Sequence, residues 1–375
     1  MKKFLSIIAI SVLLMFTFQL PAFSQGCVSI KNMPCTNMSH FEHDSTAVQK
    51  IAKWQIFLGY RYFKSYKHFV GDQEQKQRVE LGTEVINISH SFDLSLYYEI
   101  SSRLVASINF PILFYTRSSL YEHYGNSNIT NPQQKRFNTN ANGLGDIRIA
   151  TSYWMLASKK YKGNFALGMG LKLPTGQAEM QDNFHKRTAS GSDSIIRKPV
   201  DQSIQLGDAG FGFSVETQGY QFLFKNATLY YNGFYLFNPR NVNNTLTRGT
   251  LTGSDPLIAY HSVPDQFSVR LGINYSLLPK KNLKLSLGGR FEGVPSHDAI
   301  GKSNGFRRPG YIVSIEPGLA LNKNNWTFQC SVPFAIYRNR TRSIYDLADP
   351  TGQRHGDAAF ADYLINIGIS YSLGK

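Results

Sequence analysis

The chain has 375 residues, a formal net charge of +15, 17% charged residues and 13% aromatic residues, with 21 Tyr and 26 Phe. The charged share lies below the roughly 25% usual in soluble domains, and no apolar run beyond the N-terminus is long enough to cross a bilayer as a helix. The Lys and Arg residues are scattered through turns, loops and alternate positions instead of forming one stripe, so nucleic acid is not the expected partner; anionic lipid head groups or anionic solutes suit them better.

Residues 1–24 read as a signal peptide: Lys2 and Lys3 form the basic end, Phe4 to Leu20 the apolar core, and Ala22-Phe23-Ser24 a small-x-small cleavage site. Removal of Lys2 and Lys3 leaves a charge of +13 (15 − 2). Gly26-Cys27 raises lipid attachment, but Ser24-Gln25 before it makes a poor processing signal. Residues 25–52 lack alternation and read as a periplasmic N-terminal extension holding Cys27, Met33, Cys35, Met38, His40 and His43. Two readings are open there. One is a disulfide between Cys27 and Cys35 in an oxidising compartment. The other is a soft metal site of Cys27, Cys35, Met38, His40 and His43, a set suited to copper.

Residues 53–375 alternate in period two, the pattern of strands with one apolar and one polar face. Lys53–Lys64 carries Trp54, Ile56, Leu58, Tyr60 and Tyr62 on one face, and Glu84–Ile100 carries Ile86, Ile88, Phe92, Leu94, Leu96 and Tyr98. Leu104–Tyr115 returns after a tight turn, and a polar loop follows at about 117–142. Gly145–Leu156 and Asn164–Pro174 form the next pair, with a second long loop at about 176–201. Gln202–Gly219 pairs with Ala227–Asn238, and a third loop spans about 240–263.

The clearest hairpin runs from Gln266 to Val294. Phe267, Val269, Leu271, Ile273 and Tyr275 alternate with polar or small residues, a polar break follows, and Leu283, Leu285, Leu287 and Phe291 resume the pattern. Gly310–Leu321 pairs with Trp326–Arg338, 340–359 is a last loop, and Ala361–Leu373 closes the chain.

This makes about twelve strands with short turns and long loops in strict alternation, which predicts an all-β transmembrane antiparallel up-and-down barrel with both termini in the periplasm. Runs of about ten residues suit tilted strands crossing a bilayer. Pro111, Pro174, Pro239, Pro295 and Pro333 recur in the second strand of successive hairpins, towards the long loop, where proline is tolerated. Gly145-Asp146 and Gly207-Asp208 recur just after long loops.

Several stretches carry a resemblance. Tyr60-Arg61-Tyr62-Phe63-Lys64-Ser65, Gly143-Leu144-Gly145-Asp146, Lys172-Leu173-Pro174-Thr175-Gly176, Pro199 to Asp208, Gly305 to Gly310 and Gly356 to Tyr363 resemble an uncharacterised outer-membrane protein family of Bacteroidetes. The Gly-Leu-Gly-Asp and Leu-Pro-Thr-Gly pieces are similar to the outer-membrane family named for meta-pathway phenol degradation, whose members are taken to be transporters. The resemblance implies an outer-membrane barrel and suggests transport. The chain departs from many outer-membrane proteins at its end, Leu373-Gly374-Lys375, where the last aromatic is Tyr371.

Parity places Asp93, Glu99, Asp146, Arg148, Asp208, Glu216, Arg270, Arg290, Glu292 and Glu316 on the inward face. Charges of both signs can fill a narrow lumen by pairing, or line a path for a small solute, anionic or aromatic. Arg148, Arg270 and Arg290 are the candidate anion contacts, with Glu292, Glu316, Asp146 and Asp208 beside them. The expected function is a narrow channel or transporter whose partners are outer-membrane lipids and a small solute. The alternatives are a structural or adhesive surface barrel and an outer-membrane hydrolase using Ser296-His297-Asp298 or His355 and Asp357. No nucleotide or other organic cofactor is expected, since glycine-rich phosphate loops and CxxC pairs are absent from the sequence. Cys330 shares parity with Phe328 and Val332 and reads as lipid-facing.

Overall fold

A computed structural model describes residues 53–156, 161–279 and 282–373. The signal peptide and the Cys27, Cys35, Met38, His40 and His43 group lie outside the described residues. Twelve antiparallel strands close into one barrel, the last pairing with the first from Trp54↔Leu373 to Phe69↔Ala358. In chain order they are Trp54–Val70, Ile86–Glu99, Leu104–Ser119, a fourth in two segments (Phe137–Leu144 and Arg148–Trp154), Gly163–Lys172, Gly212–Phe224, Ala227–Phe237, Gln266–Leu278, Leu283–Val294, Gly310–Lys323, an eleventh in two segments (Trp326–Ser331 and Phe334–Asn339), and Ala358–Leu373. Among the described residues no helix is long and apolar enough to cross a membrane; the strands do so instead. Closure satisfies every ladder and leaves no edge facing lipid.

Short turns lie at one end and long loops at the other. Two short turns use asparagine in the left-handed region. Lys323 pairs with Trp326 across Asn324-Asn325, with Asn324 at φ 55°, and Phe224 pairs with Ala227 across Lys225-Asn226, with Asn226 at φ 71°. Asn tolerates that conformation, and the resulting twist matches the flanking strands.

The apolar set from the alternation lies outward: Ile56, Leu58, Leu94, Ile149, Leu167, Leu271, Leu287, Ile315 and Ile367 are all exposed on the barrel exterior. A chain of aromatic contacts runs around half of the long-loop end, from the sixth strand to the eleventh. It runs Phe213–Phe237 (4.8 Å), Phe237–Tyr235 (4.5 Å), Tyr235–Phe267 (6.5 Å), Phe267–Phe291 (5.0 Å), Phe291–Tyr311 (5.6 Å) and Tyr311–Tyr337 (5.9 Å). At the other end, Trp54 packs on Tyr98 at 4.5 Å and Trp326 on Tyr371 at 4.6 Å. An apolar belt between two aromatic girdles is the outside of a barrel seated in a bilayer. Cys330 is half-buried, paired with Leu319 and Ile367 in this outer layer.

The structure corrects several boundaries. The first strand runs on to Val70, past the expected end at Lys64, with register shifts after Phe63 and Ser65. The expected loop 117–142 contains a strand, Phe137–Leu144, that pairs with the extended third strand from Ser119↔Phe137 to Ile112↔Leu144. Its outward positions Asn138, Asn140 and Asn142 are polar, so no apolar face marked it. The loops expected at 176–201 and 240–263 fold into hairpins, Gln181–Arg187 with Asp193–Pro199 and Val242–Leu246 with Tyr260–Ser262.

Gln202–Gly219 is not one strand. Asp201 caps a 3-10 turn at Gln202–Ile204 by accepting from Ser203 N, Ala209 takes φ 58°, and the strand begins at Gly212. Asp208, expected on a strand, therefore sits in the segment that leads into one. Pro333 falls at the break in the eleventh strand, as expected of a strand end, whereas Pro111 lies inside the third strand, beside the break in the fourth, where Gly145 N donates to Pro111 O.

Candidate functional site

The inward charges gather into clusters carried by neighbouring strands. Arg270 and Arg290 stand directly opposite one another on the eighth and ninth strands. Two like charges face to face destabilise a ladder unless compensated. Glu292 accepts from Arg290 Nη2 at 2.7 Å, and Glu316, on the tenth strand, lies 3.5 Å from Arg270 Nε. Glu316 also accepts from Ser331 Oγ at 2.8 Å, and Asn366 Nδ2 donates to that hydroxyl at 3.2 Å, so the network reaches the last strand. Four expected site residues, Arg270, Arg290, Glu292 and Glu316, thus form one buried neutral cluster.

On the other side of the lumen, Arg148 of the fourth strand pairs with Glu216 of the sixth, and Ser214 Oγ donates to the same carboxylate at 2.5 Å. The fifth strand passes between them at Gly170. A Cβ there would lie 2.9 Å from Glu216 Oε1 and 3.0 Å from Arg148 Nη2, so the pair closes only over glycine. Asp93, opposite Gly59, is buried and interacts electrostatically with Arg61. Glu99 stands near the short-turn end, opposite Val105 and apart from these clusters.

Asp146 and Asp208, the two Gly-Asp residues, meet in space. Asp146 lies in the break of the fourth strand and accepts from Gly176 N at 3.0 Å and Asp208 N at 3.3 Å. Lys172 Nζ, fully buried, donates to both oxygens of Asp208, at 2.6 Å to Oδ1 and 2.5 Å to Oδ2. Thr175 Oγ1 donates to Gly145 O at 2.9 Å and accepts from Ile147 N at 2.8 Å. Gly143 to Asp146, Leu173 to Gly176 and Gly207-Asp208 therefore form one knot, whose close crossing at Gly176 and Gly207 leaves no room for a Cβ.

Beyond the knot, the loop between the fifth and sixth strands turns into the barrel. Val200, Ile204 and Leu206 pack on Leu113, Tyr115 and Ala141 in a buried cluster. Leu113 and Tyr115 are inward residues of the third strand, whose alternate partners Ile112 and Phe114 face lipid. The segment 199–206 therefore lies against the lumenal wall at the outer mouth. Arg308, from the loop before the tenth strand, donates to Asp201 Oδ1 at 2.9 Å and Oδ2 at 2.7 Å, and Gln202 Nε2 donates to Ser262 O at 2.8 Å. The third and ninth strands lie half a ring apart in a twelve-strand order (9 − 3 = 6), so these contacts span the mouth.

Arg117, inward on the third strand and fully buried, holds the near side. Its Nη2 lies 3.5 Å from Asp201 Oδ2, while Glu122, Asn87 and Tyr121 accept from it at 2.9, 3.0 and 2.9 Å. Burial alone would raise the Asp201 pKa; Arg117 and Arg308 instead hold its carboxyl well below the usual range.

A second contact docks the outer hairpin. His185 N donates to His123 Nδ1 at 3.1 Å, the His123 ring stacks on Phe184 at 5.3 Å, and His185 stacks on Phe137 at 4.0 Å. Burial lowers the His123 pKa to about 4.

Sequence parity missed Arg117, Lys172, Asp201 and Arg308. The signal available was the set of resembling stretches, since Lys172 to Gly176, Pro199 to Asp208 and Gly305 to Gly310 contain three of the four. The residues weighed for hydrolysis point to separate partners. Ser296 Oγ donates to Arg342 O at 2.6 Å, Asp298 accepts from Arg307 at 2.7 and 2.6 Å, and His297 is exposed. Asp357 accepts from His68 and Arg78, and His355 lies on Arg340 O at 2.7 Å.

No family model matches the chain, and no curated protein matches it. Among solved structures, it is similar to an outer-membrane channel from Pseudomonas putida F1, with a TM-score of 0.55 and 11% identity over 86% of this chain and 95% of that one. Weaker likenesses are to the P. putida toluene transporter TodX (TM-score 0.45, 10% identity, 93% and 96% covered) and the CymD monoaromatic hydrocarbon channel (0.44, 9%, 95% and 99%). At these identities the first likeness shows a shared barrel fold, and the other two add nothing to it.

Proposed function

We propose that this protein is an outer-membrane channel for small solutes, whose path runs through the lumen past the paired charges. The observation that carries the reading is a closed barrel whose inward face holds polar and charged side chains at successive heights, from Gln55, Ser95 and Asn109 to Arg148, Arg270, Arg290, Glu292 and Glu316, among apolar ones such as Phe57 and Leu113. Burying these charges carries a desolvation cost that an apolar filling would not. The similar P. putida F1 structure is that of an outer-membrane channel, which supports the same reading.

In this reading Arg148, Arg270 and Arg290 offer forked donors to an anionic group, and Glu216, Glu292 and Glu316 set how strongly the path favours anions. The short turns face the periplasm and the long loops the outside. The N-terminal extension then lies in the periplasm, an oxidising compartment that suits the Cys27–Cys35 disulfide reading.

Purified protein in planar bilayers is expected to show small conductance steps. Arg270→Ala or Arg290→Ala is expected to shift the reversal potential towards cations. A folded barrel that conducts nothing and binds no small solute would replace this reading with a structural or adhesive role for the interlocked outer loops.

A further inference from the structure

At the mouth of the barrel two arginines share a carboxylate that belongs to the protein, Asp201. Asp201 sits at the start of the 3-10 turn in the inserted segment. Both of its oxygens are taken by the Arg308 fork, and Arg117 lies 3.5 Å away. The two guanidinium groups are carried by opposite walls, and each has support that does not involve Asp201. Arg117 is held by Glu122, Asn87 and Tyr121. Arg308 stacks over the Phe306 ring at 4.6 Å. The cradle is therefore built into the barrel and its ninth-to-tenth loop, while its occupant is built into a different loop. Forked donation to both oxygens is the geometry by which arginine recognises a carboxylate. Arg308 keeps 12% of its side-chain surface open, against 1% for Arg117, so Arg308 is the accessible side of the site.

We infer that Arg117 and Arg308 form a carboxylate-binding site at the outer mouth, occupied in the closed state by Asp201, so that a small carboxylated solute competes with Asp201 and releases the segment 199–206 from the lumen. The inference rests on the channel reading and adds to it a solute class and a gate. It differs from the strand-borne clusters in one respect: Glu292 and Glu316 are fixed to the wall beside their arginines, whereas Asp201 leaves with its loop. Ser203 N and Oγ both donate to Asp201 Oδ1, at 2.9 and 2.7 Å, so the turn is tied to the carboxylate, and displacing it also uncaps the turn.

The test uses the full mature chain, with acetate as the probe and acetamide as its neutral isostere. Two quantities are read: single-channel conductance in planar bilayers, and deuterium uptake of residues 199–211 in detergent. In the wild type, acetate on the long-loop side is expected to raise open probability several-fold and to speed exchange in 199–211, while acetamide does neither. Asp201→Asn is expected to be open without acetate. Arg308→Ala is expected to be open and indifferent to acetate. Arg308→Lys, which keeps the charge and loses the fork, is expected to need more acetate.

Equal effects of acetate and acetamide would overturn the inference, as would an Asp201→Asn channel that conducts like the wild type. If neither wild type nor Asp201→Asn conducts, the channel reading fails by itself. The exchange arm then still decides the site: acetate-dependent exchange supports it, and unchanged exchange overturns it. Heat-modifiable gel migration of each variant establishes that the barrel is folded.

Discussion

The Arg270–Arg290–Glu292–Glu316 cluster and the Arg117–Asp201–Arg308 cluster use the same chemistry on different supports. In the first, every member stands on one of three adjacent strands, and the ladders hold them in register from Ser268↔Glu292 to Gly288↔Glu316. Its charges neutralise each other inside a wall that cannot move without unzipping hydrogen bonds. In the second, one arginine is on a strand, and the carboxylate and the other arginine are on two separate loops, between the fifth and sixth and between the ninth and tenth strands. Its energy is spent on holding a loop in place. One ion-pair cluster is thus fixed by its ladders, while the other depends on where a loop sits.

The largest effect should come from breaking the strand-borne cluster. Glu316→Ala removes the partner of Arg270 and leaves two facing arginines with only Glu292 between them. Breaking a buried pair this way costs about 3–5 kcal/mol. The temperature at which the folded gel band converts to the unfolded one should fall accordingly. Asp201→Asn should leave that temperature nearly unchanged, since no ladder depends on it; an equal fall in both would erase the distinction.

A smaller effect is expected at Gly170. Gly170→Val forces a side chain into the space of Arg148 and Glu216, and overpacking of this kind costs about 1–3 kcal/mol. The same gel assay reads it. A double variant with Glu216→Ala, which vacates part of that space, should recover part of the loss.

The outer hairpin gives a pH test of the loop side. Burial holds the folded-state pKa of His123 near 4, below the roughly 6.5 of a free histidine. The docked state favours the neutral ring, so its stabilisation is complete above pH 6.5 and is lost as pH falls towards 4. Exchange in residues 181–187 should rise over that window while exchange in the strands stays flat. His123→Phe should abolish the dependence. The smallest effect belongs to the lipid side: Cys330→Ala touches no cluster and should change stability by less than about 0.5 kcal/mol.

Much of the barrel was legible in advance because the membrane imposes a simple rule. Each strand must show lipid an apolar face, so Ile56, Leu94, Leu271 and Ile367 announce both the strand and its outward side. Inward parity followed by subtraction, which is why Arg148, Arg270, Arg290, Glu292 and Glu316 were found. The rule lapses where lipid ends. Asn138, Asn140 and Asn142 lie on a strand with no apolar face, and the stretch read as loop. Gln202 to Leu206 alternates well enough to read as strand, yet Ile204 and Leu206 pack against the lumenal wall while Asp201 starts a turn.

By itself, then, the amino-acid sequence determined the number of strands that cross the membrane and which face most of them turn to lipid, because those depend on neighbours two residues apart in one solvent. Only the tertiary structure decided which charges meet. Arg117, Asp201 and Arg308 are 84 and 107 residues apart (201 − 117 and 308 − 201), and no local pattern relates them. They come together because the barrel closes and brings one wall and two separate loops to one mouth.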